Sequence, residues 1–289
     1  MTDNRHVDDV TGVETTGHEW DGIRELNMPL PRWWVWTFYV CIVWAIGYWI
    51  AMPSWPLVSD YTRGLLGYSQ RATVAAEIAA AKSAQAQYLD RIAANDLSTI
   101  RDTPALLEFA LAGGRSAFAV NCVQCHGSGG AGAPGFPNLN DDAWLWGGSL
   151  DAIHTTLRHG IRASDPETRI NQMPAFVRDG LITRTQANDA VEYVLKISGQ
   201  DADAVAAGRG KAVFSAQCAS CHGADARGQH DLGAPNLTDA IWLYGGDRHA
   251  LQQTLIAGRG GVMPAWQGIL DPRTLKMLAV YVHSLGGGE

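Results

Sequence analysis

One uncharged hydrophobic stretch dominates the pattern of apolar and polar positions along this chain. It runs from Trp33 to Met52, twenty residues bounded by Arg32 and Pro53. Tryptophan and tyrosine gather at both of its ends, as they do where a helix crosses the two membrane–water interfaces. Because an apolar helix of this length matches the thickness of a bilayer core, the stretch predicts one transmembrane helix over residues 33–52.

A cleavable signal peptide is the competing interpretation of such a stretch. The preceding residues, 1–32, are polar and acidic, and the apolar run is longer than the hydrophobic region of a signal peptide. We therefore expect an uncleaved anchor behind a cytoplasmic N-terminal segment of residues 1–32. Cys41, inside the anchor, is expected to be a small apolar side chain without a redox task.

Residues 53–107 are predicted to form a linker that contains a helix. Positions 71–95 are rich in alanine, and Val74, Ile78, Tyr88 and Ile92 fall near one stripe of a helical surface. This stripe is weak, so the helix is either a spacer or a docking stalk.

The remainder of the chain is an internal duplication. The matching positions, first repeat then second, are Gly114 and Gly210, Phe118 and Phe214, Pro137-Asn138-Leu139 and Pro235-Asn236-Leu237, Trp144 and Trp242, and Met173-Pro174-Ala175 and Met263-Pro264-Ala265. An amphipathic helix ends each repeat, and only the first has a loop of extra residues, from Ser164 to Arg169. Such self-similarity indicates two units of the same fold.

Each repeat contains one C-x-x-C-H pentad. The two pentads are Cys122-Val123-Gln124-Cys125-His126 and Cys218-Ala219-Ser220-Cys221-His222. In a helix, positions i, i+3 and i+4 share one face, so both thiols reach the vinyl groups of one porphyrin while the histidine lies under the iron. The pentads predict two covalently attached haem c groups, bound through all four cysteines.

A C-x-x-C pair also occurs in redox disulfides and in structural zinc sites. A redox disulfide of the thioredoxin type needs a βαβ context and no following histidine. A structural zinc site needs four ligands, and neither repeat has a second cysteine pair. Neither interpretation explains two matched pentads.

The axial ligands are predicted repeat by repeat. His126 and His222 are the proximal ligands, and Met173 and Met263 are the distal ligands, since a soft thioether stabilises ferrous iron. Most methionines pack in cores, but these two share a repeat position and precede Pro-Ala. Met277, on the final helix, is expected to be a core residue.

A histidine in place of one methionine would give a bis-histidine haem. The remaining candidates are histidines 154, 159, 230, 249 and 283, none of which recurs in both repeats. His159 is the first to examine. The aromatic residues Trp144, Trp146, Trp242 and Tyr244 either wall a haem edge, bond a propionate or simply pack in the core.

The order of motifs resembles the class I cytochrome c fold. The fold class is therefore all-α: one N-terminal transmembrane helix and two tandem cytochrome c domains, at residues 108–199 and 204–289. The resemblance also implies that the backbone carbonyls of Pro137 and Pro235 accept hydrogen bonds from the ligand histidines.

Charge and compartment add two constraints. The formal net charge is −7, which excludes nucleic acid as a partner and is compatible with a basic soluble cytochrome. Arginines lie on both sides of the anchor and do not fix its orientation. Because haem c is attached in an oxidising, extracytoplasmic compartment, we expect periplasmic haem domains, a cytoplasmic N-terminus and a bacterial inner membrane.

The N-terminal segment carries a more specific resemblance. Residues 16–27, Thr-Gly-His-Glu-Trp-Asp-Gly-Ile-Arg-Glu-Leu-Asn, then Pro29-Leu30-Pro31-Arg32-Trp33-Trp34, resemble the signature of the dihaem subunit III of cbb3-type cytochrome c oxidase. So do Trp55-Pro56-Leu57 and Gly64-Leu65-Leu66-Gly67-Tyr68 after the anchor. The resemblance covers essentially the whole chain.

This resemblance implies an electron-input role in a respiratory oxidase. A subunit of this family takes electrons from a soluble or membrane cytochrome c and passes them to a monohaem cytochrome c subunit. The catalytic haem-copper subunit then reduces oxygen and pumps protons. The sequence offers neither a copper site nor a general acid–base pair, so this chain is expected to conduct electrons.

Three alternatives stay open at this stage. The first is a membrane-anchored dihaem carrier for another periplasmic redox enzyme. The second is a dihaem peroxidase, against which the two matched Met-Pro loops argue. The third is a haem-based gas sensor.

Overall fold

The computed structural model describes residues 6–286 and divides the chain into two compact units, residues 1–83 and 84–289. The secondary structure is mostly helical, as predicted. The strands are β1 (Thr15–Trp20) and β2 (Ile23–Leu26), and the helices are α1 (Arg32–Ala51), α2 (Gln70–Ala94), α3 (Leu97–Asp102), α4 (Pro104–Asn121), α5 (Val123–His126), α6 (Leu150–His159), α7 (Arg184–Ile197), α8 (Ala204–Gln217), α9 (Ala219–His222), α10 (Arg248–Ala257) and α11 (Pro272–His283). Short 3₁₀ turns lie at Ser128–Gly130 and His230–Leu232.

The first unit begins with a β-hairpin that the all-α prediction did not include. Its turn residues, Asp21 and Gly22, have φ angles of +51° and +84°, the signs that a type I′ hairpin turn requires. Arg24 and Glu19 pair across the strands at 2.8 Å. Asp-Gly between two β-prone runs was the available sequence signal.

Helix α1 begins and ends one residue before the limits predicted for the anchor. None of its residues is buried within the unit, and its twenty residues span about 30 Å, the thickness of a bilayer core. The chain then folds back, because the Leu65 N–H donates to the Ile50 carbonyl and the Leu66 N–H to the Ala51 carbonyl. These bonds satisfy carbonyls that the helix end leaves unpaired.

The second unit begins within the predicted linker helix, α2. Ile92 on its last turns is fully buried, and Tyr88 stacks on Phe109 with ring centroids 5.0 Å apart. The Lys276 ammonium donates to the carbonyls of Ile92, Ala93 and Asn95 at 2.6–3.1 Å. A cation at a helix C-terminus accepts no hydrogen bonds but donates them to the free carbonyls there, and it interacts favourably with the helix dipole. The C-terminal end of α2 is therefore held on this unit.

The closing helix of each repeat packs on the other repeat. The leading helix of the first repeat, α4, packs on α11, which closes the second repeat, while α7 packs on α8. The aromatic pairs repeat the exchange: Phe118 lies 5.5 Å from Tyr281, and Phe214 lies 5.2 Å from Tyr193, measured between ring centroids. Each closing helix therefore packs on the leading helix of the other repeat.

Two cores result from this exchange. We define the first lobe as α4, α5, α6 and α11, and the second lobe as α7 to α10. The core of the first joins residues of α4 and α6 to residues of α11, and the second lobe buries residues of α7 with residues of α8 and α10. The predicted limits, 108–199 and 204–289, thus delimit sequence repeats, whereas each packed lobe combines both repeats. The second lobe is one continuous segment, inserted into the first.

Glycine permits the close approach of the exchanged helices. A Cβ on Gly210 of α8 would collide with the backbone of Asp189 on α7, and one on Gly114 of α4 would collide with the Met277 carbonyl on α11. The glycine that precedes each pentad by the same spacing is therefore a packing residue.

We expect Gly210→Ala to destabilise the protein by about 1–3 kcal/mol, because the added methyl forces α7 and α8 apart. Gly208→Ala, two residues earlier in α8, is the matched control, since its Cβ would meet nothing within 4 Å. This control should be neutral or stabilising by up to about 1 kcal/mol. Thermal unfolding measures both variants, and equal stabilities would contradict the packing role.

Candidate haem sites

The two pentads have the same local geometry. Helix α4 ends at Asn121 and α8 at Gln217, and the first cysteine of each pentad is the C-cap. One new helical turn follows, in which the N–H of His126 donates to the Cys122 carbonyl at 2.9 Å and that of His222 to the Cys218 carbonyl at 3.0 Å. Each turn therefore presents two sulfurs and an imidazole on one side.

Each pentad histidine is oriented by a proline carbonyl. His126 Nδ1 lies 3.0 Å from the Pro137 oxygen, and His222 Nδ1 lies 3.0 Å from the Pro235 oxygen. A carbonyl oxygen only accepts, so Nδ1 carries the proton and Nε2 keeps a free lone pair. Burial also lowers the pKa of His222, which favours the neutral imidazole that a metal needs. The expected proline acceptors are confirmed.

The cysteines do not have the character of a redox pair. Burial raises the pKa of Cys122 and of Cys218 to about 11, with a smaller contribution from the second cysteine of each pentad. A thioredoxin-like site needs a lowered thiol pKa, because the thiolate is the nucleophile. The raised pKa values of Cys122 and Cys218 give no sign of such an activated thiolate.

A cavity of about 340 Å³ adjoins the second pentad, within the size range of ligand sites. Cys218, Cys221 and His222 line one part of it, and Met173 from the first repeat lines it too. The remaining lining is largely apolar and includes Phe176, Val191, Val194, Phe214, Leu232, Leu237, Trp242, Leu251 and Leu255.

The first lobe receives residues of the second repeat in the reciprocal way. Cys122 belongs to the core of the first lobe, and Met263 and Trp266 from the second repeat pack against that core. The sequence paired Met173 with His126 and Met263 with His222. The structure instead brings Met173 to the second pentad and Met263 to the first lobe.

Backbone pairing fixes this exchange of the Met loops. Met173 and Arg259 donate to each other's carbonyls, both at 3.0 Å, and Met263 and Ile161 do the same at 3.0 and 2.9 Å. Each Met loop thus adds to the strand-like segment after the short helix of the other repeat. A sequence repeat reports equivalent positions and not which repeat each loop joins, so the sequence could not show that each Met loop pairs with the other repeat.

Two other residues considered as ligands, Met277 and His159, make structural contacts. Met277 is buried on α11 with its sulfur against Gly113, as expected of a core residue. His159 is buried, but its Nδ1 lies 3.0 Å from the Asp165 carboxylate and its Nε2 lies 3.5 Å from that of Glu167. Both nitrogens face the extra loop of the first repeat, so His159 holds that loop.

Arginines beside the aromatic residues were missed by the sequence reasoning. Arg169 stacks over Trp146 at 5.0 Å, and Arg259 stacks over Tyr244 at 4.5 Å. The two aromatic residues are equivalent in the repeats, whereas the two arginines are not aligned in the sequence. The available signal was the extra loop, which supplies Arg169.

Two buried polar groups near the aromatic residues of the first lobe fit a haem. Trp144 Nε1 and Arg169 Nε are buried and have no hydrogen-bond partner among the described residues. An unpaired buried donor costs free energy, and the propionates of a haem are strong acceptors. The first lobe therefore holds donors without acceptors beside a pentad whose histidine keeps a free Nε2.

Comparison with known proteins identifies the family. The N-terminal domain of FixP of the cbb3 oxidase matches residues 12–59, and subunit III of cbb3-type cytochrome c oxidase matches residues 109–194 and 205–282. The chain belongs to the FixP/CcoP family of cbb3-type cytochrome c oxidase subunits.

Full-length relatives agree with this assignment. The chain is 54% identical to subunit FixP of Sinorhizobium medicae, over 99% of both chains, and 53% identical to subunit CcoP of Azospirillum brasilense, also over 99% of both. It is 54% identical to subunit CcoP of Cereibacter sphaeroides over 95% of both chains. Membership in the FixP/CcoP family supports cytochrome c domains that bind haem c, a place beside other oxidase subunits, and membrane anchoring.

We expect Trp144→Phe to destabilise the haem-loaded protein through the loss of a hydrogen bond to a propionate. Trp242→Phe is the matched control, since both indoles pack on the same glycine of their repeats, Gly148 and Gly246. The Trp144 variant should lose about 2 kcal/mol more than the control, the scale of a hydrogen bond to a charged group. Equal losses in chemical denaturation would show that the Trp144 nitrogen bonds no haem carboxylate.

Proposed function

We propose that this chain is the electron-input subunit of a cbb3-type oxidase and holds two haem c groups in tandem. The observation that carries the proposal is the pairing of each pentad with a methionine of the other repeat, in a lobe closed by apolar side chains. The full-length relatives, all named as oxidase subunits, support the same role.

The proposed ligand sets follow the exchanged packing. Cys122 and Cys125 bind the first haem, with His126 and Met263 as axial ligands. The second haem is bound by Cys218 and Cys221, with His222 and Met173 as axial ligands. When bound, each haem c supplies a one-electron Fe(III)/Fe(II) couple.

The residues of the chain adapt each site to electron transfer. The proline carbonyls hold the imidazoles in the ligating tautomer, and the thioethers favour ferrous iron. With one histidine and one methionine assigned to each haem, neither iron would keep a position for oxygen or peroxide. The chain therefore transfers electrons, while oxygen reduction takes place in another subunit.

The proposed topology places the haem lobes in the bacterial periplasm and residues 1–32 in the cytoplasm, with α1 across the inner membrane. Covalent attachment of haem outside the cytoplasm supports this orientation. The proposed partners are a soluble or membrane cytochrome c donor, the monohaem cytochrome c subunit and the catalytic haem-copper subunit.

We expect Met173→His to lower the midpoint potential of the second haem, because replacing a thioether with imidazole removes stabilisation of ferrous iron. The test uses the Cys122→Ala, Cys125→Ala protein, which retains only the second pentad. An optical redox titration should show the remaining wave at lower potential.

Met263→His in the same background is the matched control. It should leave the remaining wave in place, since Met263 belongs to the other lobe. If Met263→His shifts the wave and Met173→His does not, the ligands pair within each repeat and the exchanged assignment fails.

We expect oxygen consumption with reduced cytochrome c to depend on this chain. In membranes of its source organism that lack the chain, uptake should fall to background, and the tagged chain should restore it and purify together with a haem-copper subunit. A variant with all four pentad cysteines replaced by alanine should assemble poorly or conduct no electrons. Purification with a different periplasmic redox enzyme would instead support a general dihaem carrier.

A further inference from the structure

Arg162 reaches from the first repeat into the cavity of the second pentad. Its guanidinium donates to the carbonyls of Gly261 and Asn171, and the side chain lines the cavity together with Arg259. No carboxylate lines this cavity within the part of the chain that the structure describes. Partial burial lowers the pKa of Arg162, as expected where a cation is removed from water without a carboxylate partner.

The backbone at Arg162 is unusual for a residue with a side chain. Its φ angle is +53°, in the left-handed region that favours glycine. The Arg162 N–H donates to the Arg169 carbonyl at 2.7 Å, which closes the extra loop of the first repeat. The loop and its His159–Asp165 contact therefore hold the backbone of Arg162 in a costly conformation.

The second repeat has no counterpart of this charge. Ile161 pairs with Met263, as Arg259 pairs with Met173, and each follows a glycine of positive φ, Gly160 or Gly258. Ile161 and Arg259 are therefore equivalent, which makes Gly260 the equivalent of Arg162.

Two further arginines stack on aromatic rings at equivalent positions. Arg259 over Tyr244 and Arg169 over Trp146 occupy corresponding places, one for each lobe. Arg162 is thus an additional cation at the second haem.

We propose that Arg162 binds a propionate of the second haem and raises the midpoint potential of that haem above that of the first. This inference rests on the proposed haem sites. A positive charge close to the iron in a partly buried site stabilises the form that carries one more electron, and burial weakens the screening by solvent. Electrons within the chain then settle preferentially on the second haem.

The experiment compares Arg162→Gly with the wild type as haem-loaded, full-length protein in detergent. Glycine removes the guanidinium and suits a φ of +53°, so the loop is not strained by the change, and it reproduces Gly260, the equivalent residue of the second repeat. Arg162→Gln removes the charge alone, and Arg162→Lys keeps it. Arg184→Gln, at an exposed position on the first turn of α7 outside the cavity, is the matched loss of charge.

A haem stain after denaturation first verifies that each variant carries two haems, and an optical redox titration then resolves the two waves. The wave of the second haem is the one that remains in the Cys122→Ala, Cys125→Ala protein. Arg162→Gly and Arg162→Gln should lower the midpoint potential of the second haem and reduce the difference between the two midpoint potentials. Arg162→Lys should retain most of the wild-type difference. Arg184→Gln should change neither wave.

Two outcomes would overturn the proposal and leave the proposed function intact. In the first, both Arg162 variants carry two haems and show unchanged waves. In the second, they shift only the wave of the first haem. A wild-type protein with fewer than two haems would contradict the proposed function itself, independently of Arg162.

Discussion

The reciprocal backbone pairing of the Met loops is the constraint on which both candidate sites depend. Four N–H groups and four carbonyls, at Met173, Arg259, Ile161 and Met263, satisfy each other in two bridges. Each bridge carries a methionine out of its own repeat and into the lobe that contains the pentad of the other. The closing helices follow the same exchange. Helix α7, like Met173, packs with the second repeat, and α11, like Met263, packs with the first.

This constraint makes the two lobes interdependent. Because each closing helix packs on the leading helix of the other repeat, neither repeat contains a complete core. The second lobe is continuous in sequence and the first is divided around it, so a truncation between α7 and α8 would disrupt both. Covalent attachment of a haem at each pentad would add a further restraint, since it would tie the haem to the end of α4 or of α8.

Within this symmetric frame, the extra loop of the first repeat creates the main difference between the sites. His159, Asp165 and Glu167 hold the loop, and the loop supplies Arg169 to one lobe and fixes Arg162 at the other. A duplication produces two sites of similar chemistry. An asymmetric charge is a simple way to give them different potentials, and it requires no change in the ligands themselves.

The sequence by itself determined the anchor, the helical class, the duplication, the pentads and the Met-Pro loops, because each rests on local spacing or periodicity. Helix α2 agrees closely with the predicted linker helix, and the carbonyls of Pro137 and Pro235 accept from the ligand histidines as expected. Only the tertiary structure decided which lobe each methionine enters, since equivalent loops fit either lobe and long-range strand pairing leaves no mark on local pattern. The same reason applies to Arg162, whose role depends on a cavity formed by the other repeat.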